Sequence, residues 1–174
     1  MNNQSPSYPA EMVQPFREDL TGVGFKELLT PEEVDAAIDR KDDKIILVMV
    51  NSVCGCSARS ARPGTLLSLL NDKVPDEWVT VFAGMEKDAV SQFREKYLPG
   101  ITPSSPNIAV FKNGSLVHLL PRHEIERMTA AQIAGELAKL YDKVCSKPNE
   151  PKEQQKMEEY LENRFGMQIN PSND

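Results

Sequence analysis

The chain is poor in the residues that staple, ligate or bind nucleic acid. Its 174 residues include three cysteines, two histidines and one tryptophan, and aromatics make up only 6%. Three is an odd count and too small for a disulfide scaffold. Lys and Arg number 20 against 26 Asp and Glu, a net charge of −6 with a pI near 5.1. That shortage of positive charge argues against a general nucleic-acid binder, which needs clustered cations to displace counterions. Long apolar runs are missing too. The longest, Ile45-Ile46-Leu47-Val48-Met49-Val50, is strand-sized and falls far short of the roughly 20 residues of a membrane span. The N-terminus, Met1-Asn2-Asn3-Gln4-Ser5-Pro6, has neither the basic nor the apolar stretch of a secretory signal. The expectation is a cytoplasmic protein with no nucleic-acid or membrane partner, whose thiols are either chemical or incidental.

What is present suffices for one packed domain. Apolar residues are 40% and charged residues 26%, a globular balance. The composition shifts after Cys145, so residues 1–145 read as the domain and 146–174 as a charged, partly helical extension. The first eight residues read as a loose arm. A helix is expected from Ala10, with Met12, Val13 and Phe16 on one face, broken at Thr21-Gly22-Val23-Gly24. A second helix has Thr30 as N-cap, Pro31 at its first position and Glu32 and Glu33 at its positive end. Residues 44–50, apolar on both sides, predict a buried central strand. A helical pattern follows to about Asn71. Residues 78–84 predict a strand, 85–97 a helix, and 107–112 and 115–119 two strands joined by Asn113-Gly114, a strong hairpin signal. Residues 129–144 predict a last long helix with Ile133, Leu137, Leu140, Tyr141 and Val144 as its stripe. This order predicts an α/β fold: a thioredoxin-like mixed sheet with helices on both faces, extra N-terminal helices and a C-terminal tail.

The chemistry is expected at Cys54-Gly55-Cys56, between the buried strand and a helix start. The first helical turn offers unpaired N–H groups and a positive dipole end, which lower a thiol's pKa. Thiolate is the attacking species in thiol–disulfide exchange. Cys54, nearer the strand, is the expected nucleophile, and Cys56 the resolving thiol. Arg59 and Arg62, within two turns, could add positive potential. A Cys-x-Cys bridge closes a smaller ring than Cys-x-x-Cys, so Gly55 is expected to supply unusual dihedrals and the pair to be relatively oxidising. A buried inert pair, or part of a metal site with Cys145, His118 or His123, stays open from spacing alone.

Residues 103–114, Pro103-Ser104-Ser105-Pro106 through Phe111-Lys112-Asn113-Gly114, resemble the thioredoxin segment in which a cis-proline opens a strand. By that analogy Pro106 is the cis-proline facing the cysteines, and Ser105 presents its backbone to substrate. A strand-edge proline is the plainer reading.

Longer stretches carry a more specific resemblance. They are Met12-Val13-Gln14-Pro15-Phe16-Arg17, Val50-Asn51-Ser52-Val53-Cys54-Gly55-Cys56, Ala61-Arg62-Pro63-Gly64, Val79-Thr80-Val81-Phe82-Ala83-Gly84 and Arg122-His123-Glu124-Ile125-Glu126. Over about residues 8–145 the chain resembles the bacilliredoxins, thioredoxin-like bacterial proteins. The resemblance implies removal of the small thiol bacillithiol from mixed disulfides on client proteins. Cys54 would attack and carry bacillithiol away. Cys56 would close a Cys54–Cys56 disulfide and release it. Gly55, Arg59, Ser105 and Pro106 are the expected substrate contacts. No bound metal or prosthetic group is implied, because bacillithiol is a co-substrate. Disulfide isomerase activity on disulfide-bonded clients is also implied, as the alternative. The chain departs from the family pattern at Ser57-Ala58-Arg59-Ser60 and in its long tail, whose acidic helix reads as a solvated appendage.

Overall fold

The computed structural model describes residues 4–169. The elements are α1 (Ala10–Thr21), β1 (Lys26–Glu27), α2 (Pro31–Ile38), β2 (Ile45–Asn51), a π-helical turn (Ser57–Ala61) running into α3 (Arg62–Ser68), β3 (Lys73–Val74) and β4 (Glu77–Phe82). Then come α4 (Lys87–Gln92) with a second π-turn (Phe93–Tyr97), β5 (Asn107–Lys112), β6 (Ser115–Leu120), α5 (Arg122–Ile125), α6 (Ala130–Val144), β7 (Lys147–Pro148) and α7 (Pro151–Phe165). Local signals explain the best-defined ends. The Thr30 hydroxyl accepts from the Glu33 N–H, with Pro31 at N1. Thr129 and Gln132 form a reciprocal capping box on α6, satisfying N–H groups that a helix start leaves unpaired. Asn113 and Gly114 both take positive φ (52° and 77°), the backbone that a two-residue hairpin between right-twisted strands requires.

Five strands form a mixed sheet in the order β1-β4-β2-β5-β6. The pairs β1/β4 and β4/β2 are parallel, and β2/β5 and β5/β6 antiparallel. All seven residues of β2 are buried, because both faces of the sheet are covered. Its side chains alternate between two cores, as a period of two demands. Ile45, Leu47 and Met49 join Leu66 of α3 and Ile133, Leu137 and Tyr141 of α6. Ile46, Val48 and Val50 join Val34 and Ile38 of α2 and Ala89, Val90 and Phe93 on the opposite face. Gly64 lets α3 lie close on α6, since a Cβ there would sit 2.8 Å from the Ile133 Cβ. This is the expected thioredoxin-like α/β architecture. Among the described residues no helix is long and apolar enough to cross a membrane.

Four expectations need correction. Ser7 and Tyr8 of the expected loose arm are fixed: the Ser7 N–H donates to the Gly84 carbonyl at 2.7 Å, and Tyr8 packs with Val13, Phe82 and Met85. The sequence also predicts a frayed end from Gln168 to Asp174, most of which lies outside the described residues. Met12 is 49% exposed rather than on the buried face of α1, where Val13 and Leu20 stand instead. Residues 146–151, whose two prolines and polar composition predict a plain linker, hold β7, which pairs with β3 in a small second sheet. The tail helix is not a solvated appendage: Met157 and Leu161 of α7 are buried in the first core cluster. It lacks a long apolar stripe because it covers only a small patch, beside α3.

Candidate active site

The sheet's register brings the two predicted motifs to one edge. β2 runs out at Asn51, and its antiparallel neighbour β5 starts at Asn107, with Val50 opposite Asn107. The chain leaving β2 (Ser52 to Cys56) and the chain entering β5 (Ser104 to Pro106) therefore emerge side by side. The Ser105–Pro106 peptide is cis, as the analogy with thioredoxin expects. Pro106 is buried and Ser105 half-buried.

The three cysteines are free. Cys54 Sγ lies 2.8 Å from Cys56 Sγ, close but beyond the bonded S–S distance of about 2.0 Å. Cys54 is partly exposed and Cys56 buried, at 5%. Their acidities diverge. Burial acts to raise the Cys54 pKa, but the Cys56 thiol, the Cys56 N–H, the Arg122 charge and the Ser57 N–H together hold it below the ordinary value. The Cys56 thiol is pushed up to about 11, by burial first and then by its hydrogen bond to, and the charge of, Cys54. Of the two, Cys54 is therefore the thiol that gives up its proton first and Cys56 the one that keeps it, which is the order of roles expected from the sequence.

A buried arginine sets the turn that carries the pair. The Arg62 side chain is 2% exposed and donates from Nε to Asp19 Oδ2 at 2.8 Å. Its Nη1 lies 2.9–3.0 Å from the Ser52 carbonyl, Asn51 Oδ1 and Ser57 Oγ, and its guanidinium stacks over Phe16 at 4.7 Å. Asn51 Oδ1 also accepts the Ser52 N–H at 2.9 Å, and Asn51 Nδ2 donates to the Phe16 carbonyl. The Ser52 hydroxyl accepts the Cys54 N–H at 3.2 Å. A buried cation is tolerated here because it has a carboxylate and several neutral acceptors.

One expectation about the site changes. The cation beside the sulfurs is Arg122, whose charge reaches both. Arg62 faces Asp19 and the inner side of the turn. Arg59 stands exposed on the π-turn. Gly55 is helical with no positive φ, so in the dithiol it supplies no special dihedral. It is exposed, and a Cβ there would meet nothing within 4 Å, which leaves the approach to the pair open.

Arg122 is the residue that sequence reasoning missed. It lies in the Arg122-His123-Glu124-Ile125-Glu126 stretch, yet no local pattern gives it a role. Its Nη1 donates to the Ser105 carbonyl at 3.2 Å, its N–H lies 3.4 Å from Ser104 Oγ, and its Nε pairs with Glu126 at 2.7 Å. It thereby ties the cis-proline loop to the charge environment of the thiols. Arg94 supports the same loop from the second π-turn, donating to the Ser104 carbonyl at 3.2 Å, beside Asn107 Nδ2 at 2.9 Å. A cavity of about 380 Å³ opens next to the loop, with Ile101, Leu119 and Pro121 as its apolar wall and Ser104, Arg122 and Glu126 at its polar rim. Cys145 lies elsewhere, buried at the end of α6 with Asp76, Lys73 and Asp142 as its charged neighbours. Among the described residues no three His, Cys, Asp or Glu side chains gather where they could hold a metal ion.

Known proteins are similar to this chain over most of its length. A family described as disulphide isomerase matches residues 8–145. A bacilliredoxin of Halalkalibacterium halodurans is 47% identical over 145 residues, covering 83% of this chain and 99% of that one. A bacilliredoxin of Cytophaga hutchinsonii is 47% identical over 137 residues, covering 79% and 99%, and one of Salinibacter ruber is 43% identical, covering 83% and 85%. Among solved structures, oxidised thioredoxin from Plasmodium falciparum superposes with a TM-score of 0.44 at 23% identity, over 71% of this chain and 100% of that one. With nearly half of the aligned residues shared over essentially the full length of two such relatives, the chain belongs to the bacilliredoxin family of thiol–disulfide oxidoreductases.

Proposed function

We propose that this protein removes bacillithiol, or a similar small thiol, from mixed disulfides on client proteins. The observation that carries the reading is the Cys54–Cys56 pair: two sulfurs 2.8 Å apart with opposite acidities, at the sheet edge shared with a cis-proline loop. The Cys54 thiolate attacks the small-thiol sulfur of the mixed disulfide. A Cys54–bacillithiol disulfide forms, and the client leaves as a thiolate that takes up a proton. Cys54 is then no longer an anion, so the contribution of its charge to the raised Cys56 pKa disappears. Cys56 loses its proton and attacks Cys54 Sγ. The intramolecular disulfide forms and bacillithiol leaves as the thiolate. One mixed disulfide is reduced and one dithiol oxidised, a two-electron exchange. Turnover requires a thiol or dithiol reductant to reopen the Cys54–Cys56 bond. Gly55 leaves the approach open, and Ser105 and Pro106 offer the neighbouring backbone to the client chain. Arg59, exposed one turn on, is available to a passing substrate. Clients, small thiol and a cytoplasmic setting belong to this proposal.

The trapping experiment separates the two thiols. Cys56→Ala should accumulate the Cys54–bacillithiol adduct when mixed with a bacillithiolated client, and Cys54→Ala should leave the client untouched. Adduct on Cys56, or clearing of the client without Cys54, would refute the assignment. The description of the matching family favours one second reading, isomerisation of wrongly paired disulfides. It expects reactivation of a scrambled disulfide-bonded protein well above the rate of a small thiol alone.

A further inference from the structure

The helix beyond the family match is connected to the redox motif by a run of hydrogen bonds. The match ends at residue 145, and α7 begins at Pro151. Its apolar side, Met157 and Leu161, fills the first core cluster. Its polar side grips the C-terminal half of α1. Arg164 donates from Nε to Asp19 Oδ1 at 2.6 Å and from Nη2 to the Pro15 carbonyl at 2.9 Å. The Tyr160 hydroxyl donates to the carbonyls of Glu18 and Asp19, at 2.6 and 3.1 Å. Gly22 makes room for it, since a Cβ there would stand 2.6 Å from that hydroxyl.

The second oxygen of Asp19 belongs to the motif's arginine: Oδ2 accepts from Arg62 Nε at 2.8 Å. One carboxylate is thus shared by Arg164 of the tail and Arg62 of the motif. Charge-assisted bonds from both sides fix its rotamer. Arg62 in turn holds the Ser52 carbonyl and Ser57 Oγ. The Ser57 N–H closes the turn on the Cys54 carbonyl at 3.0 Å. Every link from Arg164 to Cys54 is a bond or a short chain segment.

We propose that α7 is a brace for the redox motif, in which Arg164 and Tyr160 are positioning residues acting through Asp19 and Arg62 on the turn that presents Cys54. The proposal rests on the reading of Cys54 as the attacking thiol. Loosening the brace lets Arg62 hold the Ser52 carbonyl and Ser57 Oγ less tightly, and the turn that they share holds Cys54 less firmly in place. The thiolate is then less stabilised and forms at higher pH.

The test uses the full chain, reduced, and follows the rate of Cys54 alkylation by iodoacetamide against pH, with the label located by peptide mass. Arg164→Ala should slow Cys54 alkylation at pH 7 about threefold, the size of one weakened hydrogen bond to an anion, and move the profile's midpoint to higher pH. The rate on the high-pH plateau should stay the same. Arg164→Lys should recover part of the shift, and Lys156→Ala, which changes an exposed residue of α7, should leave the profile alone. Tyr160→Phe keeps the ring and removes only the hydroxyl, so it gives a second reading if Arg164→Ala folds poorly, with a smaller shift in the same direction. Variants that lower the urea midpoint while leaving the Cys54 profile unmoved would overturn the brace and leave α7 as packing. Label on Cys56 first, in the unaltered protein, would instead overturn the assignment on which the brace rests.

Discussion

Pulse alkylation of the reduced protein should label Cys54 at least about tenfold faster than Cys56 at pH 7. The magnitude follows from the two environments. Cys54 is held below the ordinary thiol value, so more of it is thiolate at pH 7 than of an ordinary thiol. Cys56 is pushed up to about 11, which makes its thiolate about a hundredfold scarcer than an ordinary thiol's, and the greater nucleophilicity of that thiolate gives back about tenfold. Exposure acts in the same direction, because Cys54 is partly exposed and Cys56 is 5% exposed. The sign with pH is fixed. Raising the pH increases Cys54 labelling through a midpoint below that of an ordinary thiol to a plateau, while Cys56 keeps gaining toward pH 11. The assay is a short iodoacetamide pulse at several pH values, an acid quench, and peptide mapping of the two positions in one tryptic fragment. Once Cys54 is blocked, its charge no longer opposes ionisation of Cys56, so Cys56 in the blocked protein should label at lower pH than in the free dithiol. Equal labelling at pH 7, or labelling of Cys56 first, would refute the argument that hydrogen bonding and charge separate the two thiols.

Three further outcomes are expected. Arg62→Leu removes a cation that holds Asp19, Asn51, Ser52 and Ser57. It should cost about 3 kcal/mol, the low end for a broken buried pair because Arg164 keeps Asp19 partnered. Urea titration checks this, and a loss under about 0.5 kcal/mol would contradict the network. Arg122→Ala should slow Cys54 alkylation at pH 7 about twofold, a modest effect because its side chain is 44% exposed and screened. The difference from the unaltered protein should shrink in high salt, and a difference insensitive to salt would point away from charge. Cys145, pushed up to about 12 by burial first and by Asp76 next, should resist alkylation at pH 8 until urea unfolds the domain. Rapid labelling without denaturant would place it outside the core.

The parts of the fold legible in the sequence are those that local chemistry determines. The apolar run of β2, the Thr30 cap and the Asn113-Gly114 hairpin each declare themselves within a few residues. The cis state of Pro106 came through resemblance, since no local rule demands it. Arg122 and the Arg62–Asp19 pair were not legible because their partners lie far away in the chain: Arg122 meets Ser105, and Asp19 on α1 meets Arg62 after β2. The strands β3 and β7 are two residues each, too short to show a period. The docking of α7 was misjudged because two buried residues, Met157 and Leu161, do the packing amid a charged surface. Its grip on α1 depends on Tyr160 and Arg164, residues that read as solvent-facing when the helix is taken alone. At Gly55 the dithiol backbone is simply helical, and the dihedrals expected of a closed Cys54–Cys56 ring belong to the disulfide form.

The most direct test of the central claim follows one sulfur. The reduced protein is mixed with a client carrying bacillithiol on a cysteine, quenched in acid at intervals, and measured by intact mass and peptide mapping. The account predicts an early adduct on Cys54, then a Cys54–Cys56 disulfide, with the client freed in step with their sum. A client that keeps its bacillithiol while Cys54 and Cys56 remain reduced would contradict it.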